Sequence, residues 1–414
     1  MNNTTDVLVV IGAGHAGAEA AVAARQAGYA GEIVLIGDEA ALPYHRPPLS
    51  KGYLQGTATA ESLLLKPQAA YDRAGVTLRL GARATSIDRQ ARCVHLSDGA
   101  QQSYTRLIIA TGSRARAWQP PGLEGDSRPS NLFYLRTATD VDAMRSHFEA
   151  GKRLVLIGAG YIGLEVASAA RSCGMAVTVL EAARRVLARV TAPEVSAFYT
   201  ALHRQNGVDI RLSAQVTHVH SDAASGSITA IDTSAGSFES DLVIVGVGVL
   251  PNQELAEAAG LEIDNGIATD EFLRTSDPDI FAIGDCSSHP SQVYGRRLRL
   301  ESVPNALEQS RIAAANVCDG GKTYASVPWF WSEQYNLKLQ MVGLSQGYDE
   351  VVMRGDPATQ SFAVFYLREG QVISADCVNR PTDFVMLKKL VTARAVVDQK
   401  RLANESVPLK EIAA

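Results

Sequence analysis

Apolar residues near the start of the chain come in short unbroken runs. Residues 7–11, Val-Leu-Val-Val-Ile, carry no polar interruption, the pattern of a strand buried on both faces of a parallel sheet. A glycine-rich turn follows at 12–17, then an alanine-rich stretch to Gly28, and residues 33–36 return as a second strand. The same order recurs further on. Residues 154–157 lead into a glycine turn at 158–163, a helical pattern to about Cys173 and a strand at 177–180. Residues 76–114 predict small strands and turns closing on Ala110, Thr111 and Gly112, and 208–245 predict strand and turn ending in an apolar run. Beyond about 325 the pattern changes to alternation. Residues 361–367 and 372–375, around a turn at 368–371, predict an antiparallel hairpin, and 382–395 predict one amphipathic helix.

A length of 414 residues implies two or three domains rather than one core. A formal net charge of −5 argues against a nucleic-acid partner, whose phosphates call for a basic surface. The longest apolar run, 242–250, is strand-sized and glycine-interrupted, so no membrane span is expected. The first strand begins almost at once, with no signal or transit pattern before it, which makes the cytoplasm the expected location. Five widely spaced cysteines, Cys93, Cys173, Cys286, Cys318 and Cys377, form no disulfide, zinc or iron–sulfur spacing. No resident metal is expected.

The two glycine turns carry the candidate chemistry. In Gly12-Ala13-Gly14-His15-Ala16-Gly17, Gly12 permits the tight turn, Gly14 lets backbone N–H groups approach a pyrophosphate, and Gly17 lets the helix pack on the strand. Asp38, 21 residues beyond Gly17, is expected to accept from ribose hydroxyls. Gly158-Ala159-Gly160-Tyr161-Ile162-Gly163 repeats the device, with Glu181 as its acid. Two complete copies imply two dinucleotides able to react with each other, a flavin and a nicotinamide. Glu181 favours the free 2′-hydroxyl of NADH over a 2′-phosphate, although Arg184 and Arg185 follow it and arginine is a usual phosphate partner.

Other segments add to the site. Leu42-Pro43-Tyr44-His45-Arg46-Pro47-Pro48-Leu49-Ser50-Lys51 reads as a stiff basic segment that walls a flavin ring, with Ser50 and Lys51 opening a helix beside it. Gly246 opens a stretch, 246–252, where the chain returns to the first domain. The apolar run 280–283 delivers Gly284 and Asp285 to a strand end, where ligands of open α/β sheets bind. Cys286 is expected to be a small buried residue rather than a reactive thiol.

Residues 42–51 with the preceding turn, together with 301–309 (Glu-Ser-Val-Pro-Asn-Ala-Leu-Glu-Gln), 328–332 (Pro-Trp-Phe-Trp-Ser) and 405–412, resemble the putidaredoxin reductase-like ferredoxin reductases of the flavin and pyridine-nucleotide oxidoreductases. The likeness covers essentially the whole chain. It implies an α/β fold with two Rossmann-like dinucleotide-binding domains, glutathione-reductase-like, plus a C-terminal α+β domain. The expected divisions are 1–115 with 245–324 for FAD, 116–244 for NAD, and 325–414. It also implies that Lys51 and Pro47 lie near the isoalloxazine, that Ala84, Arg136, Asp285, Ser302 and Val303 contact the flavin nucleotide, and that Tyr161 covers the nicotinamide pocket. Glu165 would face the nicotinamide and pair with Lys51. The implied activity is hydride transfer from NADH to FAD, then single electrons to a two-iron two-sulfur ferredoxin serving a cytochrome P450-type or other oxygenase. That ferredoxin would dock near Trp331, Arg311 and Lys410 on a monomer or weak dimer. A flavin NADH oxidase and an apoptosis-inducing-factor-like redox switch are the alternative readings.

Overall fold

The computed structural model describes residues 6–123 and 129–412. The chain divides into two compact units. The first comprises the residues up to His45, Ala60–Arg114 and Val249–Pro328; the second comprises Arg46–Thr59, Ala115–Gly248 and the residues from Trp329 onward. The C-terminal segment therefore shares a unit with the second glycine turn, and 46–59 belongs to that unit rather than to the one holding the first turn. The chain returns to the first unit after Gly248.

Each unit contains a five-stranded parallel sheet in which four strands follow the same order; the fifth, an edge strand, comes late in the chain in the first unit and before the central strand in the second. In the first, the order is Ile280–Ala282, Arg106–Ile109, Val7–Ile11, Glu32–Gly37, Val76–Leu80. In the second it is Val208–Leu212, Ala176–Glu181, Arg153–Ile157, Leu242–Val245, Leu132–Tyr134. The strand before each glycine turn lies centrally, with its neighbours on either side reached by opposite crossovers. That is the switch point at which open sheets bind ligands. The unbroken apolar runs are explained by burial on both faces: Leu8, Val9 and Val10 are inaccessible, as are Leu107, Ile108 and Ile109.

The second unit adds an antiparallel sheet, ordered Trp329–Gln334, Leu337–Gly343, Gln371–Val378, Ser361–Arg368, Glu350–Asp356. Its central hairpin is the one the alternation predicts. The helix expected over 382–395 spans Pro381–Thr392, with proline at its start, where a missing N–H costs nothing. No helix among the described residues is long and apolar enough to cross a membrane.

Candidate active site

In the first unit, Val7–Ile11 runs into the turn and the His15–Gln26 helix. Gly12 adopts φ +108°, and a Cβ there would lie 2.2 Å from the Ala110 carbonyl oxygen. At Gly14 a Cβ would meet nothing within 4 Å. The helix begins at Gly14 without a side-chain cap and without an acid in its first turn. An open cradle of backbone donors at a helix N-terminus is the donor set that a pyrophosphate requires, so the residues fit FAD. His15 is buried at the first helical position, its ring edge-on to His45 at 5.4 Å. The Ala16 carbonyl accepts from Ser310 of the Val303–Asn316 helix at 2.8 Å, fastening that helix to the first.

The two copies differ at the acid. Gly12 and Gly158 each donate to the penultimate residue of the neighbouring strand, Ile36 and Leu180, both at 2.8 Å. Gly37 is therefore the counterpart of Glu181. A Cβ at Gly37 would lie 2.6 Å from that of Ala13, so the first copy carries its acid one residue later, at the exposed Asp38. Asp285 sits in the Gly284–Cys286 turn after the Ile280–Ala282 strand, and its carboxylate accepts from Ser113 at 2.7 Å. Ala84 opens the Ala84–Asp88 strand, half-buried. Two expected contacts have structural duties. Ser302 caps the Val303–Asn316 helix by accepting from the Asn305 N–H at 3.2 Å, and the Thr111 hydroxyl donates to the Asn252 carbonyl at 2.6 Å, beside Gly112.

In the second unit Gly160 repeats Gly14: no cap, no acid in the first turn, and nothing within 4 Å of a Cβ. Gly163 packs back on the Gly158 carbonyl, and Gly246 stands where a Cβ on Gly158 would be 2.6 Å from its oxygen, so it completes this turn. Ile162 leaves an apolar side chain exposed on the first turn of the helix. Glu181 accepts from the N–H groups of Ala159 and Ala183, both at 2.7 Å, which sets its carboxylate against the glycine turn. Arg185 is committed to the protein, donating to Thr191, Ser196 and Ala188, while Arg184 is exposed.

The remaining candidates meet within this same unit. Residues Pro47–Ser50 form one 3₁₀ turn that ends at Lys51, so the helix expected to open at Ser50 instead closes there. The turn aims the Lys51 ammonium at Glu165, on the Tyr161–Ser172 helix, at 2.6 Å. The Pro47 carbonyl, 3.2 Å away, accepts from the same ammonium. Glu165 is buried and takes three further donors: Ser50 at 2.5 Å, Ser332 at 2.7 Å and the Glu333 N–H at 3.3 Å. Tyr161 packs on Phe330 at 5.0 Å and its hydroxyl reaches the Met341 sulfur at 2.7 Å. Burial raises its phenol well above the usual range. Arg136 accepts at its carbonyl from Arg46 at 2.7 Å, and its N–H donates to Asp140. Trp331 is half-buried, 5.8 Å from Trp329.

Ser50, Ser332 and Met341 were not among the residues expected in this cluster. Ser50 was adjacent to one that was. The other two lie 167 and 180 residues from their partners, beyond any local signal.

Two glycine turns on matched parallel sheets, with a buried ion pair, define an oxidoreductase of two dinucleotides. The chain belongs to the pyridine nucleotide-disulphide oxidoreductase family, which matches residues 6–310, and a reductase C-terminal domain matches 329–413. It is an FAD-dependent enzyme of that family and takes NAD(H). Among its relatives, putidaredoxin reductase of Pseudomonas putida is 48% identical over 100% of this chain and 98% of its own. Rhodocoxin reductase of Rhodococcus erythropolis is 42% identical over 97% and 93%. The crystal structure of a covalent putidaredoxin reductase–putidaredoxin complex superposes with a TM-score of 0.94 at 48% identity, covering 99% of this chain and 98% of that one. The cysteines are free and none lies between His15 and Lys51. Burial raises the Cys286 thiol, which suits a packing residue.

Proposed function

We propose that this chain is an NADH-dependent ferredoxin reductase, with the net reaction NADH plus two oxidised ferredoxins giving NAD⁺, two reduced ferredoxins and one proton. The observation that carries this reading is the combination of two dinucleotide turns of one geometry with the lack, among the described residues, of a cysteine pair. Electrons entering from nicotinamide have no disulfide to leave through. Full-length relatives named for ferredoxins support the same acceptor.

The chemistry supplied by bound FAD is acceptance of a hydride and its return as single electrons. The protein's part is binding, orientation and charge. In this reading Gly12, Gly14 and Gly17 receive the flavin pyrophosphate, and Asp38, Ala84, Asp285 and Val303 contact the rest of that nucleotide. Gly158, Gly160 and Gly163 receive NADH, with Glu181 on its ribose. Lys51 favours negative charge arriving with the hydride. Glu165 orients the nicotinamide and keeps Lys51 in place, and Tyr161 covers the pocket until NADH enters. The ferredoxin is a two-iron two-sulfur protein serving a P450-type or other oxygenase, with Trp331, Arg311 and Lys410 as contact candidates on a monomer or weak dimer. Association through Arg311 and Lys410 weakens as salt rises.

Cofactor choice tests the assignment. Arg185 is already engaged, which removes one of the two phosphate partners suggested by the local sequence and strengthens the case for NADH. Flavin reduction under anaerobic conditions should be faster with NADH than NADPH, and Glu181→Arg should narrow that ratio by about tenfold, the worth of one charged contact. A wild-type preference for NADPH, or an unchanged ratio in the variant, would remove Glu181 from this role.

A further inference from the structure

The Glu165 carboxylate sets the direction of a hydrogen-bond chain that runs outward from it. Paired with Lys51, it accepts and does not donate, so the Ser332 hydroxyl gives its proton to Glu165 Oε1. Ser332 Oγ is then an acceptor for Gln334, 3.2 Å away, and the amide nitrogen must be the atom that faces it. The amide oxygen accordingly faces His203 Nε2 at 2.8 Å, which puts the imidazole proton on Nε2. Nδ1 is left to accept from the Tyr335 hydroxyl at 3.1 Å. Ser332, Gln334 and His203 are all within 1% of complete burial, and burial pushes His203 down to about 4, which keeps its ring neutral.

We propose that Gln334, oriented by His203, is a positioning residue for Glu165: its amide N–H holds the Ser332 oxygen so that the hydroxyl proton points at the carboxylate. The inference rests on reading Lys51 and Glu165 as the charge pair of the reaction. Its chemical content is that residue 334 must donate on one side and accept on the other. An amide does both, and so does a neutral carboxylic acid. A carboxylate does not. It would take the protons of Ser332 and His203 together and turn the serine hydroxyl away from Glu165.

The groups facing residue 334 are Ser332 on its own strand, His203 on the Pro193–Gln205 helix, and Tyr335 beyond it. Glu165 with Lys51 lies one hydrogen bond further in. Tyr199 senses Glu165, Tyr335 senses Arg171, and Glu333 pairs with Lys338.

The test is Gln334→Glu, isosteric with the native residue, in the FAD-loaded enzyme. Anaerobic flavin reduction by NADH is followed from about pH 5.5 to about pH 9, a range that spans the raised titration of a buried carboxyl. At the acid end the neutral acid donates as the amide did, and the rate should approach wild type. As pH rises the rate should fall by about tenfold, the effect of losing one hydrogen bond to a charged group. In a Ser332→Ala background the same substitution should add no further fall. Histidine ring NMR supplies a readout independent of activity: wild-type His203 should be the neutral Nε2–H tautomer, and Gln334→Glu should raise its titration. A pH-independent loss that persists without Ser332 would mark a packing effect and overturn the proposal. So would an Nδ1–H tautomer in the wild type. Failure of wild-type enzyme to be reduced by NADH would instead sink the functional reading while leaving the tautomer result to stand by itself. Were Gln334→Glu not to fold, the wild-type tautomer would still decide the direction of the chain.

Discussion

Glu165→Gln removes one charge and little else, and its effect can be worked from the contacts. The carboxylate is 4% exposed and accepts from Lys51, Ser50, Ser332 and the Glu333 N–H. At an effective dielectric of about 20, an ammonium–carboxylate contact this close is worth about 6 kcal/mol of Coulomb attraction. Most of that is offset by dehydrating the carboxylate. The amide keeps an oxygen for Ser332 and the Glu333 N–H, and the Ser50 hydroxyl can reverse to accept. Lys51 is the group that loses. Its side chain is 20% exposed and retains the Pro47 carbonyl, so the residual cost is that of one charged hydrogen bond, ~2 kcal/mol. Expressed fully in the transition state, this is about 30-fold in rate. Fold stability should drop by no more than ~1 kcal/mol, because the buried charge leaves with the carboxylate. The assay is anaerobic stopped-flow flavin reduction across NADH concentrations, which separates the limiting rate from Kd, with thermal unfolding alongside. A limiting rate within about twofold of wild type would refute the reasoning, as would a loss confined to Kd.

Two further predictions follow from the same geometry. Gly12→Ala forces a Cβ against the Ala110 carbonyl at positive φ and should destabilise the fold by ~2–4 kcal/mol, whereas Gly14→Leu and Gly160→Leu enter open space at ordinary φ. Unfolding midpoints of the apoprotein should therefore separate Gly12 from the other two. Gly14→Leu should lower FAD content, and Gly160→Leu should raise the KM for NADH at unchanged FAD content. Asp376, buried beside the Tyr366 hydroxyl, has its carboxyl pushed up to about 7 by burial. The unfolded chain releases that proton near pH 4, so stability declines as pH rises from about 4 to about 7 and is level above. Asp376→Asn should accordingly be more stable than wild type at about pH 8 by ~4 kcal/mol, with the difference shrinking toward pH 5. An unchanged difference across that range would show that the carboxyl does not titrate there.

The parallel sheets and glycine turns were legible because their signals are local: an unbroken apolar run, glycines at fixed spacing, an acid at the next strand end. The Lys51–Glu165 pair was legible only through family resemblance, since 114 residues separate the partners. The Pro47–Ser50 turn is not legible from its prolines, because prolines start a helical turn as readily as they stiffen an extended segment. Asp38 matched the expected acid in spacing, but strand register shows Gly37 in the position of Glu181, a difference forced by the Ala13 methyl. Ser332, Gln334 and His203 read as ordinary polar residues. Their significance comes from which donor faces which acceptor, and that depends on a helix and a strand 131 residues apart.

The most direct test of electron transfer is anaerobic titration of the FAD-loaded enzyme and excess oxidised two-iron ferredoxin with NADH. Each NADH consumed should reduce two ferredoxins, and the flavin should return to its oxidised spectrum while oxidised ferredoxin remains. Reduction of the flavin by NADH with no electrons passed to the ferredoxin, and reoxidation only when oxygen is admitted, would contradict it.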